Sequence, residues 1–199
     1  MKVKLSNVRV AFAQSLTEAK AFEAGQEERY GCTFLIPEQG HPARKTIEDG
    51  MYAAAAEKWG AKGKAIVDNL LETGNPKEVC YYPGKRKAYD GFEGNMALGA
   101  VRQKKDGMPL LLDADKSPII DAAKGTAYPG KEGRIYSGCY VNATVDLWAQ
   151  DNKYGKTIRC TVNGVQFAKD GDSFGGTSKG DADDFDDLGD GSDAGDDLA

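Results

Sequence analysis

The alternation of apolar and polar positions is strongest late in the chain. Across residues 135–149 (IYSGCYVNATVDLWA), Ile135, Cys139, Val141, Ala143, Val145 and Leu147 share one parity. Tyr136, Tyr140, Asn142, Thr144, Asp146 and Trp148 share the other. A period of two puts successive side chains on opposite faces of a strand. Asp151-Asn152-Lys153-Tyr154-Gly155 supplies a turn. Residues 156–168 (KTIRCTVNGVQFA) then return with Ile158, Cys160 and Val162 on one face. After Gly164 the apolar positions move to Val165 and Phe167, which predicts a bulge. Residues 2–13 alternate through Val8, Val10 and Phe12, and 28–36 through Tyr30, Cys32, Phe34 and Ile36 before Pro37; both read as strands. Short apolar runs at 95–103 and 108–113 flank Asp106-Gly107, a hairpin signal.

Between these strands the period changes. Residues 42–59 (PARKTIEDGMYAAAAEKW) open on Pro42, carry four consecutive alanines, and space Ile47, Met51, Ala54 and Ala55 along one stripe of a helix. Residues 64–72 predict a second short helix ending near Gly74. Residues 14–26 and 114–133 lack a period and read as loops. The fold class is mainly β with a helical insert at about 41–73, hence α+β.

Charge changes the picture once the chain is divided. The 199 residues carry 26 basic and 31 acidic side chains, net −5. Residues 170–199 hold 11 aspartates and one lysine, Lys179, for −10; residues 1–169 hold 25 basic and 20 acidic residues, for +5. The acidic whole therefore contains a basic body. The end segment is mostly Gly, Asp and Ser, with Phe174, Phe185, Leu188 and Leu198 as its large apolar residues. Such a composition buries too little surface to offset chain ordering, so 170–199 is expected to be a disordered tail and 1–169 the folded domain.

Other chemistry is sparse. No apolar run reaches the roughly 18 residues of a membrane span, and Met1-Lys2-Val3-Lys4-Leu5 does not open a secretory leader; a cytoplasmic location is expected. Cys32, Cys80, Cys139 and Cys160 lie far apart, which suits buried free thiols rather than a zinc knuckle. His41 is the one histidine. Nucleotide-loop, serine-hydrolase and zinc-protease motifs are missing. Asp113 and Asp115 form a close pair with nothing nearby to complete a two-metal site. The chain reads as a binding protein, with no catalytic residues, cofactor or metal expected.

Binding unpaired strands needs cations along the phosphates and flat rings for the bases. Residues 76–94 supply both, with Lys85-Arg86-Lys87 among Tyr81, Tyr82, Tyr89 and Phe92. Tyr136 and Tyr140 lie on the polar face of the long strand, and Tyr154, Lys156 and Arg159 lie in or beside its hairpin. Arg102 and Lys104, next to Lys105, add a third basic patch. Rings on the second face of a strand also pack under inserts, so both roles stay open for Tyr136, Tyr140 and Trp148. The acidic tail, tethered to a basic body, competes with phosphate; Phe185 and Leu188 are its candidate hooks for a partner protein.

The stretch from Ile135 to Gly176 resembles a family of bacteriophage single-stranded DNA-binding proteins. The opening strand, helical insert and acidic tail are similar too, so the likeness covers essentially the whole chain. It implies an oligonucleotide-binding (OB) fold, a five-stranded barrel elaborated with helices. It also implies a role in phage replication, recombination or repair in the infected cell, with replication or recombination proteins as partners of the tail. The tail ends Asp196-Asp197-Leu198-Ala199, without the terminal Pro-Phe of bacterial single-strand binders. A strand-annealing protein and a phage assembly factor are the alternative functions, and a homodimer is left open.

Overall fold

A computed structural model describes residues 1–21, 25–152 and 155–175. Its principal sheet contains β1 (Lys2–Ala11), β2 (Arg29–Pro37), β3 (Tyr81–Pro83), β4 (Asn95–Gln103), β5 (Leu110–Leu112), β8 (Tyr140–Asn152) and β9 (Gly155–Lys169), in the order β3-β4-β2-β1-β8-β9-β5. A two-stranded ribbon of β6 (Ile120–Asp121) and β7 (Thr126–Ala127) lies in the stretch expected to be loop. The insert between β2 and β3 consists of α1 (Ala43–Trp59) and α2 (Gly63–Thr73). None of the described helices is long and apolar enough to cross a membrane.

The five long strands, β1, β2, β4, β8 and β9, follow the order expected of an OB barrel, with β1 between β2 and β8 and a seam between β4 and β9. The ladder does not close as a continuous sheet. The segment leading into β3 spans the seam: the Cys80 N–H donates to the Ile158 carbonyl and the Ile158 N–H to the Glu78 carbonyl, each at 3.0 Å. On the other side of that segment, the Gly99 N–H of β4 donates to the Cys80 carbonyl at 2.8 Å. The fold is OB-like rather than an uninterrupted barrel.

The core follows from strand parity. Val141, Ala143, Val145 and Leu147 of β8 point inward with Ile158, Cys160 and Val162 of β9. The bulge expected near Gly164 is present: Val145 pairs with Val162 and Thr144 with Gly164, so Asn163 is the extra residue. A second irregularity falls in β1, where Val3 and Leu5 face inward but so do Val8 and Val10. The parity change occurs at Asn7, with φ 53°, where the register to β8 shifts. Helix α1 packs its buried Ile47, Met51 and Ala54 face over β1 and β8. Gly50 permits this approach, because a Cβ there would lie 2.7 Å from Val3 Cγ2 and 2.9 Å from Leu147 Cδ1.

Several expectations are corrected. Asp106-Gly107 does not join a hairpin. Lys104–Asp106 is a 3-10 turn held by Arg102, whose guanidinium donates to the Asp106 and Gly107 carbonyls. The following β5 runs parallel to β9, where Leu111 is buried. The long strand begins at Tyr140 rather than Ile135, because Gly138, at φ 112°, interrupts the extended backbone. Phe12 is not on the inward face of β1; the strand ends at Ala11 and the ring is 44% exposed. Within 14–26, Leu16 is buried at the end of a 3-10 turn. All four cysteines are free and buried.

Candidate nucleic-acid interface

The local cause of the best-formed surface is the loop from Gly84 to Gly94. It leaves β3 after Tyr81 and Tyr82, whose side chains are 0% and 7% exposed. These two tyrosines belong to the core, and burial pushes the Tyr81 phenol up to about 12. They present no ring face to a ligand, which corrects the reading that made them part of the stacking set. Beyond them, Lys85, Arg86, Lys87 and Tyr89 are exposed. Arg86 is tied to the end of α2, donating to the Thr73 carbonyl at 2.7 Å. Phe92 is buried and anchors a cluster of rings: Tyr89 meets it at 5.4 Å and Phe12 at 6.0 Å, while Phe12 and Tyr89 stand edge to face at 5.1 Å and 83°.

Phe12 reaches this cluster through a backbone of φ 60° and ψ 36°. The left-handed conformation costs a residue with a Cβ about 1–2 kcal/mol. The next residue is held in place, since the Ala13 N–H donates to Ser137 Oγ at 3.1 Å.

A second group adjoins it. The register of β1 with β8 sets Arg9 opposite Tyr140, and that of β8 with β9 sets Tyr140 opposite Lys169. The Tyr140 ring accordingly lies between two cations, with Lys169 Nζ 4.5 Å and the Arg9 guanidinium carbon 5.7 Å from its centroid. Arg9 also covers the ring of Phe174 at 4.1 Å.

Residues 170–175, assigned by composition to the tail, run across this surface as a strap. The Gly171 N–H donates to the Tyr136 hydroxyl at 3.1 Å, and that hydroxyl lies 3.0 Å from both Asp170 Oδ1 and the Gly171 carbonyl. Arg9 donates to the Asp172 carbonyl. The Phe174 N–H donates to the Ser137 carbonyl at 2.9 Å and the Gly175 N–H to Asp90 Oδ2 at 3.1 Å. The Phe174 ring rests on Gly91, where any Cβ would collide with it. Tyr136 is thus an anchor of the strap rather than a ring on the β8 face, and burial is the main cause raising its phenol above the ordinary value. Counted to Gly175, the body carries 25 basic and 22 acidic residues, and 176–199 carries one lysine and nine aspartates.

The remaining cations of the sequence reading do not join this surface, and each has a partner of its own. Lys104 pairs with Glu28, which raises its ammonium above the ordinary value. Arg102 braces its turn and reaches Asn163 at 3.2 Å. Lys156 pairs with Asp151 at 3.0 Å beside Trp59, and Arg159 donates to the Lys77 carbonyl at 2.7 Å. Trp148 is 41% exposed, with its indole N–H on Thr161 Oγ1, eight residues along β8 from Tyr140. Tyr154, Phe185 and Leu188 lie outside the described residues, as does the expected disorder of 176–199. Sequence reasoning missed Phe12, Arg9 and Lys169; the left-handed turn at Phe12, and strand pairings that set Arg9 and Lys169 on either side of Tyr140 from 131 and 29 residues away, leave no local signal.

Among the described residues the surface is a shallow run of rings and cations, and no group of acidic, histidine or cysteine side chains is arranged to hold a metal. Comparison with known proteins gives this arrangement a context. The model of the Enterobacter phage Enc34 ssDNA-binding protein family matches residues 1–198. The chain belongs to that family. A protein of Acyrthosiphon pisum secondary endosymbiont phage 1, described as putative protein p50, is 37% identical over 188 residues, 94% of each chain. The Enc34 single-stranded DNA-binding protein in complex with ssDNA superposes with a TM-score of 0.67 at 24% identity, covering 87% of this chain and 89% of that one. The gp2.5 single-stranded DNA-binding protein of bacteriophage T7 gives 0.50 at 13% identity, over 100% and 99% of the two chains. At these identities the structural matches establish the shared fold, with the OB-like sheet and helical insert expected from the sequence.

Proposed function

We propose that the chain binds single-stranded DNA without sequence preference, in phage replication, recombination or repair within the cytoplasm of the infected cell. Unpaired bases stack on exposed rings, and lysines and arginines meet the phosphates. One observation carries this reading: the Phe12–Tyr89 ring pair, with the exposed Lys85 and Lys87 on the loop of Tyr89, and the Tyr140 ring with Arg9 and Lys169 are joined through Phe174, which lies against both Gly91 of that loop and Arg9. Rings alone also serve packing, and cations alone also serve solubility; their interleaving suits a polyanion with flat bases. The Enc34 relative, seen in complex with ssDNA, supports the same ligand.

The acidic segment acts as an internal competitor. The strap delivers it next to Arg9 and Tyr140, so a net charge of −8 over residues 176–199 starts at the edge of the surface it opposes. DNA displaces it and frees Phe185 and Leu188 for replication or recombination proteins. The activity is binding rather than catalysis.

Titration of full-length and tail-deleted protein with labelled oligo-dT, against a matched duplex, tests the reading. Micromolar or tighter binding to the single strand, weakened by salt and weaker for the duplex, is expected. Failure of both proteins to bind oligo-dT at low salt would overturn it.

A further inference from the structure

Arg9 is held from two sides, once by the barrel and once by the strap. Its Nε donates to the Gly138 carbonyl at 3.0 Å, a contact within the folded body. Its Nη2 donates to the Asp172 carbonyl, and its guanidinium carbon lies 4.1 Å from the centroid of the Phe174 ring; both partners belong to the strap. Among the described residues Arg9 has no carboxylate partner, and its acceptors are neutral carbonyls. With the strap in place, one edge of the guanidinium is spent on a carbonyl and one face is covered by a ring. Neither is open to a phosphate.

The strap fits closely but is held sparsely. A Cβ at Gly138 would collide with the Asp172 carbonyl, and one at Gly91 with the Phe174 ring, so the two glycines form a channel that residues 172–174 fill. Yet Asp172, Ser173 and Gly175 are exposed, Phe174 is half-buried, and single hydrogen bonds rather than a ladder tie the backbone down. Close fit defines one closed position; few contacts make it cheap to leave. Exchange of partners then favours DNA. A phosphate oxygen in place of the Asp172 carbonyl replaces a neutral acceptor with a charged one, about twice as strong a partner for a guanidinium. The Gly138 carbonyl stays on Nε throughout, so Arg9 is already aimed when the strap leaves.

We infer that residues 170–175 are a latch over Arg9: the Asp172 carbonyl holds the place of a phosphate oxygen, and single-stranded DNA engages Arg9 only after the segment peels away from Gly138 and Gly91. The inference rests on the single-strand reading and adds a conformational step to it. It differs in kind from competition by the acidic segment. That competition is electrostatic and fades as salt rises. The latch works through neutral hydrogen bonds and a ring contact, and it remains in a chain that ends at Gly175.

Hydrogen–deuterium exchange of the unaltered full chain tests the latch. The Gly171, Phe174 and Gly175 amides donate to the Tyr136 hydroxyl, the Ser137 carbonyl and Asp90 Oδ2. Saturating oligo-dT speeds exchange at these three amides while Val141 and Val145 on β8 keep their protection. Unchanged or slower exchange of the strap amides in the complex overturns the latch and leaves single-strand binding standing. In a second measurement, Phe174→Ala in the full chain tightens oligo-dT binding by about 5- to 30-fold, the factor by which a strap held shut through that ring lowers the apparent affinity. The gain persists from low to high salt, whereas the gain from removing residues 176–199 shrinks. No gain in the folded variant, or a gain that vanishes at high salt, also overturns the latch. Absence of oligo-dT binding by the wild type removes the single-strand reading itself.

Discussion

Two truncations separate the strap from the acidic segment that follows it. Ending the chain after Gly175 removes 24 residues of net charge −8 and keeps the strap; ending it after Lys169 removes both. What the strap contributes can be sized from its contacts. Phe174 is half-buried against the core, which at half the value of a fully buried phenylalanine is about 1 kcal/mol. Its ring over the Arg9 guanidinium adds about 0.5–1 kcal/mol at a surface site. The hydrogen bonds of the strap are taken as offset by the entropy of ordering its backbone. A net loss of about 1–2 kcal/mol corresponds to a melting temperature lower by roughly 2–8 °C for a domain of this size. The protein ending at Gly175 should melt with the full chain, and the one ending at Lys169 below it by that amount. Phe174→Ala in the full chain should reproduce most of the shift with the acidic segment intact. Differential scanning fluorimetry or calorimetry reads all four proteins. Equal melting temperatures for the two truncations would refute the argument that residues 170–175 belong to the folded body. In the same proteins, both truncations should bind oligo-dT more tightly than the full chain at low salt.

Lys85→Ala and Lys87→Ala should each lower the slope of log K against log salt for oligo-dT by up to about 0.7, the value for one lost phosphate contact on a single strand. Lys104→Ala and Lys156→Ala, whose ammonium groups already face Glu28 and Asp151, should change it far less. Gly50→Ala should destabilise by about 1–3 kcal/mol in urea unfolding, because the added methyl meets Val3 and Leu147. Burial holds the Tyr81 phenol near 12, whereas in the unfolded chain it ionises near 10. As pH rises between those values the unfolded state sheds a proton that the folded state keeps, so stability is full below pH 10 and declines through the window. The buried Cys80 thiol, also raised to about 12, acts with the same sign from about pH 9. Melting temperature should therefore fall more steeply from pH 10 to 12 in the wild type than in Tyr81→Phe.

The legible parts of the fold are those governed by short-range periods. The β8–β9 alternation, β2 with its stop at Pro37 and the alanine-rich α1 announce themselves, and the Gly164 parity change reports a real bulge. The misreadings share one cause: a local signal overridden by a distant partner. Asp106-Gly107 is good hairpin chemistry, but β5 pairs in parallel with β9, burying Leu111, instead of returning along β4. Tyr81 and Tyr82 sit beside three cations in the sequence, yet pairing of β3 with β4 draws them into the core. The interface divides the same way. Lys85, Lys87 and Tyr89 are neighbours in one loop and could be read directly. Arg9, Tyr140 and Lys169 meet only through the registers of three strands, and Phe12 joins them through a backbone angle that its residue type argues against.

The seam between β4 and β9 has a kinetic meaning. Four of the five junctions around the ring are ladders; the fifth depends on a bridge between Val79 and Ile158, residues far apart in the chain. Closing so long a loop for so few hydrogen bonds places ring closure late in folding and makes the seam the first line to open in the native state. In hydrogen–deuterium exchange the amides of Cys80 and Ile158, though buried, should lose protection well before those of Val141 and Val145 on β8, and should do so by sub-global opening rather than by unfolding of the whole barrel.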